Sequence, residues 1–249
     1  MDFGPQIVKN GLVFYLDAAN KKSYVSGSKS WFDLTNTNVT GSLKNGTGFS
    51  YVNGGAMVFD GTNDYVNTGN INLSTTDKVS VDFWCKIVTY TEVANSGKIV
   101  IELSTDFNAI TTGFIAGFAD DSNAVFGGTF PISVSVRGNG GTQLGYNISY
   151  WPKTLVNDLK WHHWCCIFDK SQSGAETFLY IDGISRTGTL TSYNANNTNN
   201  FASLPFYIGG RGASFNPNIQ ISNLKIYNRA LSASEVLQNF NATKTRFGL

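Results

Sequence analysis

The chain is written in short apolar runs separated by glycine and small polar residues. The clearest run is VSVDFWCKI at 79–87, where Val79, Val81, Phe83, Cys85 and Ile87 alternate with Ser80, Asp82, Trp84 and Lys86. A period of two is that of a strand, and this one predicts a strand with one buried face. GLVFYLD (11–17), AMVFD (56–60), ISVSVRG (132–138), TFLYIDG (177–183) and FYIGG (206–210) repeat the theme. Glycine, Asn, Ser and Thr punctuate them as turns do. The pattern predicts an all-β chain of two packed sheets. At 249 residues it fits a single sandwich core.

The C-terminus breaks the pattern. In LSASEVLQNF (231–240) Ser232 can cap a helix, Glu235 can complete a capping box, and Leu231 can staple onto Val236. One short helix is predicted there, with Val236, Leu237 and Phe240 as an apolar side for docking on other subunits. The remaining residues, 241–249, read as an exposed tail. Residues 1–230 form the expected sandwich and 231–249 the helix and tail. The Asn-rich stretch 192–200 reads as a loop.

WHHWCC, at 161–166, puts two histidines and two cysteines together. On a strand, Trp161, His163, Cys165 and Ile167 share one face, and His162, Trp164, Cys166 and Phe168 share the other. A zinc site needs three or four converging ligands, whereas each face offers one His and one Cys, with Cys85 as the only further thiol. A Cys–His nucleophile pair needs hydrogen-bond contact, which the pleat works against. The stretch reads as a core strand.

Composition narrows the partners. Charged residues are 14% and the net charge is +1, so no basic surface exists to hold nucleic acid. The apolar runs fall short of the ~20 residues of a membrane-spanning helix. No Sec-type leader is visible in MDFGPQIVKNG, and three cysteines, two adjacent, do not make a disulfide framework. Reduced thiols and assembly in a cytoplasm are the expectation.

The WHH strand, its DKSQSG turn and the strand LYIDG resemble the core hairpin of laminin G-like domains of the concanavalin A-like lectin/glucanase kind. GLVFYLDAANKKSY with WFDL, AMVFDGTNDYVNTG, and FYIGGRG with IQISNLKIYNRALSASEV agree, in the family's order, over nearly the whole chain. The resemblance implies a two-sheet jelly-roll sandwich. The closing segment RALSASEVLQNFNATKTRFGL is similar to the endings of such domains in tailed-phage particle proteins. It implies a non-enzymatic virion structural protein, as capsid decoration, head fibre or tail fibre, acting by adhesion and subunit docking. Other virion proteins are then the partners, with self-association open. A lectin attaching to cell-surface polysaccharide is the alternative, and a glucanase a distant third.

The residues bear on each reading. Retaining glucanases need two carboxylates about 5 Å apart, and no E-x-D-x-x-E triplet occurs. Glu102 and Asp106 stand too far apart on a regular strand, and Asp120 and Asp121 read as a solvated turn. No catalytic residue is assigned. Asp60, Asn63 and Asp64 in FDGTNDYV are candidate calcium ligands, although a later acidic position of the family reads Ile221-Ser222-Asn223 here. No other cofactor is implied. Tyr150, Trp151 and Arg211 are the candidates for sugar contact.

Overall fold

The computed structural model describes residues 5–35, 37–89, 97–105, 112–119, 131–138, 146–192, 199–212 and 214–249. The alternating runs become two antiparallel sheets packed face to face, as the sequence predicts. The first runs β14 (Ile184–Arg186), β13 (Thr177–Ile181), β12 (Trp161–Asp169), β7 (Lys78–Thr89), β17 (Asn218–Tyr227), β5 (Ala56–Asp60), β4 (Gly48–Ser50), with β1 (Leu12–Asp17) pairing the far half of β17. The second runs β15 (Thr189–Ser192), β11 (Tyr146–Trp151), β10 (Ile132–Arg137), β9 (Gly113–Phe118), β8 (Lys98–Leu103), β16 (Ser203–Ile208), β6 (Tyr65–Asn72), β3 (Thr40–Lys44), β2 (Ser30–Phe32).

Between the sheets lies one apolar core. Val79, Val81, Phe83, Cys85 and Ile87 of β7 all enter it, together with Cys166 and Phe168 of β12. From the opposite sheet Phe114 stacks on Phe168 with ring centroids 4.3 Å apart. Each fully buried side chain of this size contributes about 1.5–3 kcal/mol. Local turn chemistry agrees with the topology: Asp182 and Gly183, at φ 56° and 76°, close the β13–β14 hairpin in the left-handed region that Asp and Gly tolerate.

The other face of β7 departs from expectation. Ser80, Asp82 and Trp84 are also buried, because the C-terminal segment lies across the outside of the first sheet. Helix α1 (Ala233–Thr243) begins as predicted: Ser232 and Glu235 form the reciprocal capping box. Leu231 and Val236 share one small cluster with Cys165, Ile167 and Tyr227. Arg229 grips both Glu235 oxygens at 2.6 and 2.8 Å, which holds the Glu235 carboxyl down at about 2.

The tail is tied down rather than exposed. Phe247 is buried and stacks on Trp84 at 4.0 Å. Arg246 donates to the carbonyl oxygens of Asn53 and Gly55 at 2.6 and 2.8 Å and to Asp17 Oδ1 at 2.8 Å. Asn53 Nδ2 returns a bond to the Arg246 carbonyl at 2.9 Å.

Candidate functional site

The WHHWCC strand alternates as read, with its ligands split between faces. His163 and Cys165 lie under α1, in a buried polar cluster centred on Asp82. His163 Nε2 meets Asp82 Oδ2 at 2.8 Å, Lys225 Nζ donates to Asp82 Oδ1 at 2.8 Å, and Asn239 Nδ2 donates to Asp82 Oδ2 at 3.1 Å. All four residues have zero exposure. Burial works against the Asp82 charge, but His163 and Lys225 overcome it and hold the carboxyl well below the usual carboxylate range. The thiols of Cys85, Cys165 and Cys166 are pushed up by burial. A fully buried thiol in that state is neither ionised nor reachable, so the cluster is structural. His162, at the strand end, is held between Asp182 and Asp158, each at 2.8 Å.

The calcium candidates form a turn. Asp60 Oδ1 accepts from Thr62 N at 2.7 Å, and Asp64 Oδ2 accepts from Asp60 N at 3.1 Å. The Asn63 carbonyl accepts from Asn45 Nδ2 at 2.9 Å. Asp64 is buried, and its burial raises the carboxyl from the ordinary value. Its Oδ1 is buried without a hydrogen-bond partner, a position a cation would relieve. One orphaned oxygen is far from the six to eight that calcium takes, and no group of three or more His, Cys, Asp or Glu gathers among the described residues. The three residues do not fit a calcium cage.

The sugar candidates do not come together. Trp151 is core, 1% exposed, with Nε1 donating to the Arg186 carbonyl at 2.8 Å. An inward position on β11 puts it between the sheets, and its neighbour Tyr150 therefore faces out, half-buried. Arg211 lies beside Glu102, Nε to Oε2 3.3 Å, and over the Phe215 ring at 5.6 Å. The docking candidates are corrected as well. Val236 is fully buried and Phe240 stacks on Trp84 at 5.8 Å, so both are used on the chain's own sandwich; Leu237 alone stays 45% exposed.

A site that sequence reading missed lies at the sandwich edge where β3, next to the edge strand β2 of one sheet, passes into β4 at the edge of the other. Asn45 and Gly46, at φ 57° and 103°, turn the chain between them, and Thr47 N donates to the Lys44 carbonyl at 3.2 Å. Such a two-residue turn needs two left-handed residues, which Asn-Gly supplies. Facing it is the loop 26–29, where Ser28 Oγ both accepts from Ser30 N and donates to the Ser30 carbonyl at 3.0 Å. Between turn and loop is a cleft of about 670 Å³, lined by Tyr24, Leu43, Phe49 and the polar residues of both segments. Its size is that of small-ligand sites. Tyr24 is buried with its ring 4.9 Å from Phe49, which meets Tyr51 edge-on at 4.9 Å. Tyr51 is 75% exposed; Val52, next to it in the chain, and Val25, next to Tyr24, are exposed as well. The Arg246 clamp on Asn53 and Gly55 fixes the backbone just beyond this ring. The sequence signals were present, an Asn-Gly turn followed by FSYV, but the pattern assigns them no chemistry.

Residues 60–237 match the model of the family described as the concanavalin A-like lectin/glucanases superfamily, Laminin_G_3. The chain belongs to that superfamily. No curated protein matches it in sequence. Among solved structures it is similar to the binding domain of botulinum neurotoxin serotype D, at 12% identity and TM-score 0.66 over 92% of this chain and 50% of that one. The binding domain of Paraclostridial Mosquitocidal Protein 1 matches at 16% identity and TM-score 0.64, over 93% and 52%. The Trypanosoma rangeli sialidase, solved with a difluorinated ketodeoxynononic acid, matches at 17% and 0.62, over 96% and 34%. The chain spans about half of the binding domains and about a third of the sialidase, so these likenesses are of fold.

Glu102 is fully buried, accepts from Ser104 Oγ and faces Arg211. Its oxygens are engaged, as a structural carboxylate's are. Asp106, Asp120 and Asp121 lie outside the described residues.

Proposed function

We propose that this protein is a non-enzymatic carbohydrate-binding module that takes a saccharide in the edge cleft. The observation that carries the reading is the aromatic ladder Tyr24, Phe49 and Tyr51, which ends in an exposed ring beside a cleft walled by hydroxyl and amide groups. A sugar has an apolar C–H face and a polar rim, and a ring flanked by hydrogen-bonding groups matches both. Membership of a superfamily with lectin members and likeness to toxin binding domains and a sialidase support the same reading. Titration of the intact chain against a glycan array, then Tyr51→Ala, tests it. Affinity is expected to fall about tenfold, near 1.4 kcal/mol. An array without a single bound glycan would reject the reading.

A virion role in a tailed phage is the second reading, supported by the likeness of the closing segment. The burial of Val236 and the packing of half-buried Phe240 on Trp84 use most of the docking face it relied on. Mass spectrometry of purified particles decides: absence of the chain from them would sink this reading and leave the lectin.

A further inference from the structure

We propose that the edge cleft selects acidic saccharides, with Lys29 and Lys44 as the residues that meet the anionic group. The inference rests on the glycan-binding reading and adds the charge of the ligand. The cleft lining contains these two lysines and no Asp or Glu, in a chain whose net charge is only +1. A local excess of two positive charges at one concave place is therefore a feature of the site, not of the molecule.

Both lysines are exposed. The Leu43 amide donates to the Lys29 carbonyl at 2.9 Å, so the two stand on adjoining strand ends and their backbones are fixed relative to each other. Neither is in an ion pair among the described residues. An ammonium on a flexible four-carbon stem is a point charge with three donors, and it can follow a carboxylate or sulfate without demanding bidentate geometry. Concave surroundings raise the local concentration of a counter-charge.

The opposing charge closest to the turn is Asp64, whose Oδ1 lies 3.7 Å from where a Cβ on Gly46 would stand. It is buried, and its Oδ2 accepts from the Asp60 amide. Burial also lifts its carboxyl, and it is not among the residues that line the cleft. The remaining polar lining, Ser26, Ser28, Asn45 and Thr47, is neutral and suits sugar hydroxyls.

The test is calorimetric titration of the whole chain with trigalacturonate, sialyllactose and a heparin-derived tetrasaccharide, against lactose and maltotriose as neutral probes. Acidic probes are expected to bind at least tenfold tighter than neutral ones, and to weaken several-fold when salt rises from about 0.05 to about 0.5 M. Lys29→Gln with Lys44→Gln should erase that margin and the salt dependence, while Tyr51→Ala weakens acidic and neutral probes alike. Whether the uronate, sialyl or sulfated arm binds best identifies the anion. Equal binding of neutral and acidic probes, or an acidic preference untouched by the double lysine change, overturns the charge inference and leaves glycan binding standing. Silence from every probe overturns both. The lysines are exposed, so unchanged circular dichroism and melting of the double variant confirm that folding is not what moved.

Discussion

Replacing Asp82 with Ala should be one of the most damaging single changes in this chain, although it does not line the cleft. The carboxylate has zero exposure and accepts from Lys225, His163 and Asn239 at 2.8, 2.8 and 3.1 Å. Without it the Lys225 ammonium keeps only Asn223 Oδ1, at 2.9 Å, as a hydrogen-bond acceptor, and sits uncompensated beneath α1. Removing one partner of a buried pair costs about 3–5 kcal/mol, against a total stability of about 5–15 kcal/mol for a folded domain. At about 2–4 °C per kcal/mol for this size, melting should drop by about 6–20 °C. Urea unfolding followed by tryptophan fluorescence measures it, with the slope unchanged and the midpoint lowered. A loss below about 1 kcal/mol would refute the cluster as a buried charge network. The acid side gives a second check. A carboxyl held below its usual value contributes stability that is complete above its unfolded pKa, about 3.9, and is lost as pH falls toward the folded one. The wild-type and Asp82→Ala stability curves should therefore converge below about pH 4.

Other outcomes follow from the same packing. Trp151→Ala should cost about 3–5 kcal/mol and leave glycan affinity unchanged, since its ring is core; a selective loss of binding in calorimetry with normal melting would contradict that placement. Deleting residues 231–249 should bare Trp84, Trp161 and Tyr227 together with the Asp82 cluster, and give a chain that binds a hydrophobic dye or precipitates; a soluble product with native melting would show that the segment does not complete the first sheet. Burial works against the charge of His162, but Asp182 and Asp158 overcome it and raise its pKa. Its ion pairs therefore contribute fully below the unfolded value of about 6.5 and are lost as pH rises through the folded one, so His162→Gln should remove a fall in stability on the alkaline side, read by melting across that range.

The fold was legible because its signal is local. Period-two runs and the Ser232–Glu235 capping box each act within a few residues, and each holds in the structure. What escaped depends on distant residues. Ser80, Asp82 and Trp84 look like an exposed face until the segment after residue 230 is laid across them, and nothing within β7 records that event. For the same reason the tail read as exposed: Arg246 and Phe247 find partners at Asn53, Gly55, Asp17 and Trp84. Trp151 was a reasonable sugar contact by residue type, yet side-chain direction on β11 decides it, and a Tyr-Trp pair in sequence does not say which of the two points inward. The cleft is harder still, since Tyr24, Lys29 and Phe49 belong to different segments and line one cleft only because the β2–β3 edge of one sheet lies beside the β4 edge of the other.

That arrangement also bears on why the proposed site lies at an edge. The first sheet is packed on one side against the second sheet and on the other, over β7, β12 and β17, against α1 and the tail, so much of both faces is filled with protein. A sandwich in this state has recognition surface where strands end and loops begin, which is also where sequence can change without disturbing the ladder. The β3–β4 crossing meets a further requirement, rigidity. Its turn is tied to Asn63, its aromatic ladder is anchored on buried Tyr24, and the segment just past Tyr51 is clamped by Arg246. A weakly held sugar gains most from a platform that is already ordered, because little side-chain entropy is lost on binding. On the proposed reading the C-terminal segment bears on recognition from a distance: it packs over β7, β12 and β17, and through Arg246 it sets the backbone just past the exposed Tyr51 ring.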